Sequence, residues 1–259
     1  PSFVQKHYRY PSGLGELQSK VFAKYHMTDP GVFYGQEDKW SIGREKYLTQ
    51  DTTVQPYYIF FKLPGSSSMT FSLVTPFTPS GKDNLVALMA ISSDLGSGSP
   101  VSVIKFSKDR AVFGPYQVEA RIDQDTEISK TLTLWNQQGS QVLRGNMLIL
   151  PVDGSLLYIE PIYLQSSGSK MPQIKKVVAA TKDKLTWGDN LDQALSNLLG
   201  TTVDLGGVGP APASPGTGTT TTPPVVTNSV KTLIAEALAH MERYKQYNAV
   251  GNFADAGTE

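Results

Sequence analysis

Apolar and polar positions follow two rhythms along the chain, and the change falls near residue 54. Over residues 11–26, Leu14, Leu17, Val21, Phe22 and Tyr25 recur at the three-and-four spacing of a helix, with Ser12 placed to cap its start. Gly13 and Gly15 weaken its first turn. Asp29 followed by Pro30 predicts a short second helix over about 30–38, because a capping side chain and a proline at the first helical position start a helix well.

From 54 to 182 the runs are VQPYYIFFKL, MTFSLVTP, NLVALMAIS, PVSVIKFS, NMLILPV, SLLYIEPIYL and IKKVVAATK. Each has strand length, is rich in β-branched or aromatic residues and is bounded by turn formers. Val152-Asp153-Gly154-Ser155 predicts a tight hairpin turn, with Asp-Gly at its centre. One helix interrupts the strands over about 125–137. Ile128, Leu132 and Trp135 mark its face, Asp125 caps it and Glu127 sits in its first turn. Another spans about 190–199, with Leu191, Ala194, Leu195 and Leu198 as its stripe and Gly200 at its end.

No repeated β-α alternation is visible, so a doubly wound parallel sheet is excluded. The predicted fold class is α+β, a mainly antiparallel sheet core with flanking helices. A helical segment over 1–53 packs on a β-rich domain over 54–200. A flexible Gly/Thr/Pro linker follows over 201–227; residues 205–230 carry no charge at all. The last segment, 228–259, reads as an amphipathic helix in a truncated helical hairpin. Its stripe of Val230, Leu233, Ala237, Leu238, Met241 and Tyr244 over 228–247 calls for burial on the β-rich body or on another copy of the chain.

Composition narrows the function. The 259 residues hold 23 basic and 23 acidic side chains, so a nucleic-acid partner bound through bulk charge is not expected. The absence of cysteine removes disulfides, thiolate metal sites and cysteine nucleophiles. The longest apolar run, Leu85 to Ile91, is far short of the about 20 residues of a membrane helix. PSFVQKHYRYP lacks the character of a signal peptide and reads as the start of a processed or excised chain.

Candidate chemistry is sparse. His7, His26 and His240 do not have metal-site spacing, and His26 reads as a packed or capping residue. There is no GxSxG elbow, phosphate-binding loop or HExxH. No catalytic residue, metal or cofactor is therefore assigned. The densest polar stretch is 121–146, where Arg121, Asp123, Asp125, Asn136, Gln137, Arg144 and Asn146 are the candidates for binding a ligand or partner. Two readings stand side by side. In one, Arg144 pairs with a carboxylate such as Asp123 and ties loop to helix. In the other, the cluster lines a groove for a polar ligand or partner. Asp123, Asp125 and Glu127 leave the calcium-loop pattern incomplete.

Several long strings are specific: RYPSGLGELQSKVFAKYHMTDPGVFYGQEDKW, QPYYIFFKLPG, PFTPSGKDNLVALMA and VFGPYQVEARIDQDTEISKTLTLWNQQGSQVLRGNMLILPVDGSLLYIEPIYLQ. With these, about residues 8–200 and 230–257 resemble the C-terminal region of an uncharacterised family of large bacterial membrane proteins. Gln55, Thr126 and Ser12-Gly13 depart from the family's usual residues. The resemblance implies several membrane helices N-terminal to this region. It also implies a cell-membrane protein with this region extracytoplasmic, and attachment to the membrane through the other part. It supplies no reaction. The leading expectation is a structural or interaction domain whose partner is an envelope protein or a second copy bound through 228–247. The alternative is an envelope-acting hydrolase or a polar-ligand-binding domain using carboxylates near 121–146.

Overall fold

The computed structural model describes residues 7–205, apart from 64, 65, 67, 94–100, 108, 110, 138, 153, 169 and 170. The expected helical hairpin over 228–259, and all but the first residues of the expected linker, lie outside the described residues. What is described is an α+β fold of two five-stranded antiparallel sheets, a two-stranded hairpin and flanking helices.

The chain opens with helices α1 (Ser12–Tyr25) and α2 (Pro30–Gly35). Strands β1 (Trp40–Ile42), β2 (Arg44–Tyr47) and β3 (Gln50–Thr53) follow, so the segment expected to be helical turns to strand well before residue 54. Next come β4 (Tyr57–Lys62), β5 (Met69–Pro79), β6 (Ala87–Ser92) and β7 (Val101–Lys105). In the first sheet β5 is the axis. Its residues Met69–Val74 pair with β4 and its residues Phe77–Pro79 with β1, so β4 and β1 lie end to end on one edge. Strand β6 pairs along the other edge, and β7 pairs with β6.

Two helices, α3 (Pro115–Gln124) and α4 (Thr126–Trp135), stand where one was expected. Pro115 occupies the first turn of α3, and Val118 and Ile122, four residues apart, are fully buried. Burying two such side chains contributes roughly 1.5–3 kcal/mol each. Asp125 ends α3 and caps α4 by accepting from the Ile128 amide at 3.0 Å. Then come β8 (Ser140–Arg144), β9 (Leu148–Val152), β10 (Ser155–Ser166), β11 (Gln173–Ala180), β12 (Leu185–Gly188) and helix α5 (Leu191–Leu199). The second sheet is built on β10, with β9 and β8 end to end on one edge and β11, then β12, on the other. Gly154 and Gly200 hold the positive φ that the β9–β10 turn and the end of α5 require.

Three apolar clusters hold the layers. The largest joins Val74, Leu88 and Ala90 of the first sheet to Val118, Ile122 and Ile128 of the helices and Tyr158, Ile162 and Val178 of the second sheet. The Tyr57 hydroxyl bridges the two sheets, donating to the Ile149 carbonyl and accepting from its amide, both at 3.0 Å. On its other face the first sheet packs Leu73, Phe77, Met89 and Ile91 with Ala23 of α1. Helix α5 covers Val177 and Ala179 of the second sheet with Ala194 and Leu198.

The seating of α1 inverts what its sequence suggests. The residues buried on the sheet are Gly15, Ser19 and Ala23, with Phe22 of the expected stripe packed beside Trp40 and Phe77, while Leu14, Leu17, Val21 and Tyr25 are 45–58% exposed. A Cβ at Gly15 would come within 2.4 Å of Leu73 Cδ2, so the backbone lies directly on the sheet. Ser19 donates to the Gly15 carbonyl at 2.8 Å and shares a hydrogen bond with Thr75 Oγ1 at 3.0 Å. Helical spacing fixes which residues share a face. It does not say which face turns inward. Residue Pro11, not Ser12, holds the capping position, and no side chain caps there. His26 is packed as expected, stacked on Trp40 with ring centroids 3.8 Å apart. Asp29 caps α2 through the Val32 amide at 2.9 Å.

Candidate functional site: a buried ion-pair cluster and its groove

Strand β8 delivers Arg144 to the interior. Arg144 stands opposite Ile162 on β10, and Gly145 then donates to the Pro161 carbonyl at 2.9 Å. A Cβ at Gly145 would meet Pro161 Cγ at 2.6 Å, so the strand turns here only with glycine. The guanidinium is 8% exposed and faces three carboxylates. Arg144 Nε donates to Glu160 Oε1 at 2.5 Å and Nη2 to Glu160 Oε2 at 3.1 Å, a two-point pair. Nη1 donates to Asp123 Oδ1 at 3.1 Å, and Nη2 also donates to Glu119 on α3. Lys46 from β2 pairs with the other oxygen of Asp123, and its amide reaches Glu119 at 3.4 Å. Beside this group Glu45, fully buried, accepts from Asn146 Nδ2 at 3.0 Å and the Met147 amide at 2.8 Å.

Glu119 and Glu160 are both fully shielded from solvent, and a buried carboxylate is costly unless paired or neutralised. Burial, then the charge of Glu160, pushes the Glu119 carboxyl up to about 9. Burial also raises Glu160, against the pull of Arg144. Glu160 holds the guanidinium by two bonds and Glu119 by one, so Glu119 is the group that keeps a proton at neutral pH. Asp123 and Glu160 then balance Arg144 and Lys46. Burial works against the charge on Arg144, but Glu160 and its hydrogen bonds outweigh that and hold the guanidinium above its ordinary range. Burial raises Glu45 despite hydrogen bonds from the Met147 amide, Asn146 and the Gln55 backbone.

Three members of the cluster, Lys46, Asp123 and Arg144, line a groove of about 650 Å³ together with Leu48, Gln50, Asn136, Gln137 and Gln141. Leu48 has a φ of 54° in the two-residue turn between Tyr47 and Gln50. That conformation costs an L side chain roughly 1–2 kcal/mol. It is fixed by a bridge to β8, in which the Leu48 amide donates to the Arg144 carbonyl at 2.7 Å and the Arg144 amide to the Leu48 carbonyl at 3.1 Å.

Of the residues singled out in the sequence, Asp123, Asn136, Gln137 and Arg144 meet in this groove. Arg121 turns away, donating to the Thr181 carbonyl at 2.8 Å and lying over the Phe113 ring. Asp125 serves as a cap, and Asn146 serves Glu45. Lys46, Glu45, Glu119 and Glu160 were not singled out. Glu160 carried a signal, a lone acid inside the apolar run SLLYIEPIYL, and Glu119 carried one too, between Val118 and Ile122.

The charged groups of the cluster are committed to each other: both oxygens of Asp123 and of Glu160 are engaged, and four donations leave the guanidinium. This defines an α+β domain clamped by an internal ion-pair network. The chain belongs to the uncharacterised protein family UPF0182, whose profile matches residues 1–135. It is similar to the UPF0182 protein of Desulforamulus reducens, 45% identical over 200 residues that cover 77% of this chain and 22% of the relative. The UPF0182 protein of Solibacter usitatus is 40% identical over 264 residues, covering all of this chain and 28% of the relative. The UPF0182 protein of Pelobacter propionicus is 38% identical over 259 residues with the same coverage. The chain thus spans about a quarter of the length of these relatives. No solved structure matches it.

Proposed function

We propose that this chain is part of the C-terminal, extracytoplasmic region of a bacterial integral membrane protein and serves there as a structural and interaction domain rather than an enzyme. The observation that carries this is the saturation of the Arg144 cluster. Its donors and carboxylates are spent on joining β2 to α3, β8 and β10. A catalytic acid or base needs an open site beside it for the reacting group. Beside Glu119 and Glu160 that space is taken by Arg144, and the network acts as a clamp. None of the described helices is long and apolar enough to cross a membrane. Attachment to the membrane is assigned to the remaining length of the family polypeptide, and the interaction role to surface outside the clamp.

Location is tested with a single cysteine, which this cysteine-free chain makes a clean reporter. In the full-length protein, carrying no other cysteine, Tyr34→Cys is placed at a site 84% exposed. Labelling by a membrane-impermeant maleimide in intact cells supports the reading. Labelling only after lysis overturns it.

A further inference from the structure

The two halves of the described fold repeat one plan. Each begins with helix, α1 in the first and α3–α4 in the second. Each sheet is built on one long strand, β5 or β10, whose later residues pair with the strand that follows the helix (β1 or β8). The earlier residues of that long strand pair with the strand just before it, β4 or β9. The opposite edge takes the next two strands in order, β6 then β7, or β11 then β12. A proline stands at the join in both, Pro76 and Pro161. Each accepts, at 2.9 Å, the amide of the glycine that follows β1 or β8, Gly43 and Gly145. A proline has no donor of its own to give at a break in pairing.

The equivalence extends to the helices. It sets Thr75 against Glu160 and Phe77 against Ile162. Thr75 and Phe77 face α1, through Ser19 and Ala23. Glu160 and Ile162 face α3–α4, through the Arg144–Glu119 pair and Val118, Ile122 and Ile128. The hairpin β2–β3 is an insertion in the first half only, and it is the part that reaches across to the clamp.

One difference between the halves remains. Helices α3–α4 share their core with two sheets, their own and the one before it, since Val74, Leu88 and Ala90 belong to the same cluster. The start of α3 sits on the first sheet's join: a Cβ at Gly43 would lie 3.2 Å from Pro115 Cγ and 3.5 Å from Pro76 Cγ. Helix α1 has its own sheet on one side only. Its other side is the ridge of Leu14, Leu17, Val21 and Tyr25, each at least 45% exposed. We propose that this ridge seats the apolar face of a further β-sheet of the same plan, supplied by the part of the family polypeptide beyond this chain's span.

Two observations favour that occupant, and docking of the stretch 228–247 there instead would overturn it. The described sheets of a second copy offer no broad free face, because the first packs on α1 and α3–α4 and the second on α3–α4 and α5, leaving single exposed side chains such as Phe60 and Ile174. The relatives are about four times as long as the segment they share with this chain, which leaves ample polypeptide for another unit. In repeat architectures each unit buries its neighbour's apolar face, and an uncovered face marks where a unit is missing.

The test uses the full-length protein with a photo-cross-linking phenylalanine analogue at Leu17 or Val21. The expected product is an intramolecular cross-link to a segment outside this chain's span, with cross-linked positions alternating as on one face of a strand. Cysteine at Leu17 is then labelled about tenfold or more slowly than cysteine at Tyr34, as burial requires. A cross-link between two copies, to lipid, or to a segment with helical periodicity overturns the proposal, as does labelling of Leu17→Cys as fast as Tyr34→Cys. Topology is read at Tyr34 and docking at Leu17, so the two readings fail separately.

Discussion

Replacing Arg144 by alanine removes one cation from between three carboxylates, and the structure says which of them is left exposed to the cost. Asp123 keeps Lys46. Glu119 already holds a proton at neutral pH, since burial and Glu160 push it up to about 9. The loss falls on Glu160, fully buried, both of whose oxygens are held by Arg144. Breaking such a pair costs about 3–5 kcal/mol, a large share of the roughly 5–15 kcal/mol that stabilises a domain. For a body of this size the melting temperature falls by roughly 6–20 °C. Urea denaturation at pH 7 and pH 5 reads the effect. In the variant Glu160 titrates above its unfolded value, so it binds more protons folded than unfolded, and stability rises as pH falls. The deficit therefore narrows at pH 5. Adding Glu160→Gln removes the stranded charge and recovers a substantial part of the loss at pH 7. A deficit below about 1 kcal/mol at pH 7 refutes the reasoning. So does a double variant no more stable than Arg144→Ala.

Three further outcomes are expected. Glu119 keeps its proton in the folded state to about 9 and loses it near its ordinary value when unfolded, so this group's contribution is present at low pH and is lost as pH rises toward 9; Glu119→Gln flattens that decline in urea titrations at pH 5, 7 and 9, and a variant with an unchanged slope contradicts the assignment. Leu17→Asp and Val21→Asp in this chain change stability by no more than about 0.5 kcal/mol, because both side chains are half exposed; a melting curve showing a loss of core-residue size would put the ridge inside. Leu48→Gly relieves the positive φ and raises stability by about 1 kcal/mol in the same assay, whereas a loss would mean that the Leu48 side chain contributes more than its strained backbone costs.

Strands β4–β7 and β9–β11 were legible because an apolar run bounded by turn formers has few other ways to be buried, whereas the short strands β8 and β12 offer no such run; the caps at Asp29 and Asp125 were legible because one side chain satisfies one local amide. The segment WSIGREKYLTQDTT was not legible as strand. The pairing of its hairpin β2–β3 serves a long-range clamp, and the buried residue of that hairpin is Glu45, which composition places outside. Helix α3 was missed because its inner face is Val118 and Ile122 with Glu119, too little apolar signal over ten residues. The orientation of α1 was hidden for a different reason: small residues suit close approach to a sheet, and nothing local says that the large ones stay at the surface. The Arg144–Asp123 pair was one of the two readings of the sequence. Its link to Glu160 depends on the β8–β10 register, which no local pattern specifies.

The clamp also has a consequence in time. Its members come from β2, α3, β8 and β10, elements far apart along the chain. They meet only after both sheets have paired and the hairpin β2–β3 has swung onto the second half. Contacts that need such long-range closure are expected to form late in folding. Weakening them leaves the rate of folding nearly unchanged and speeds unfolding, as expected for interactions absent at the transition state. The network therefore governs the lifetime of the folded domain rather than the speed at which it forms.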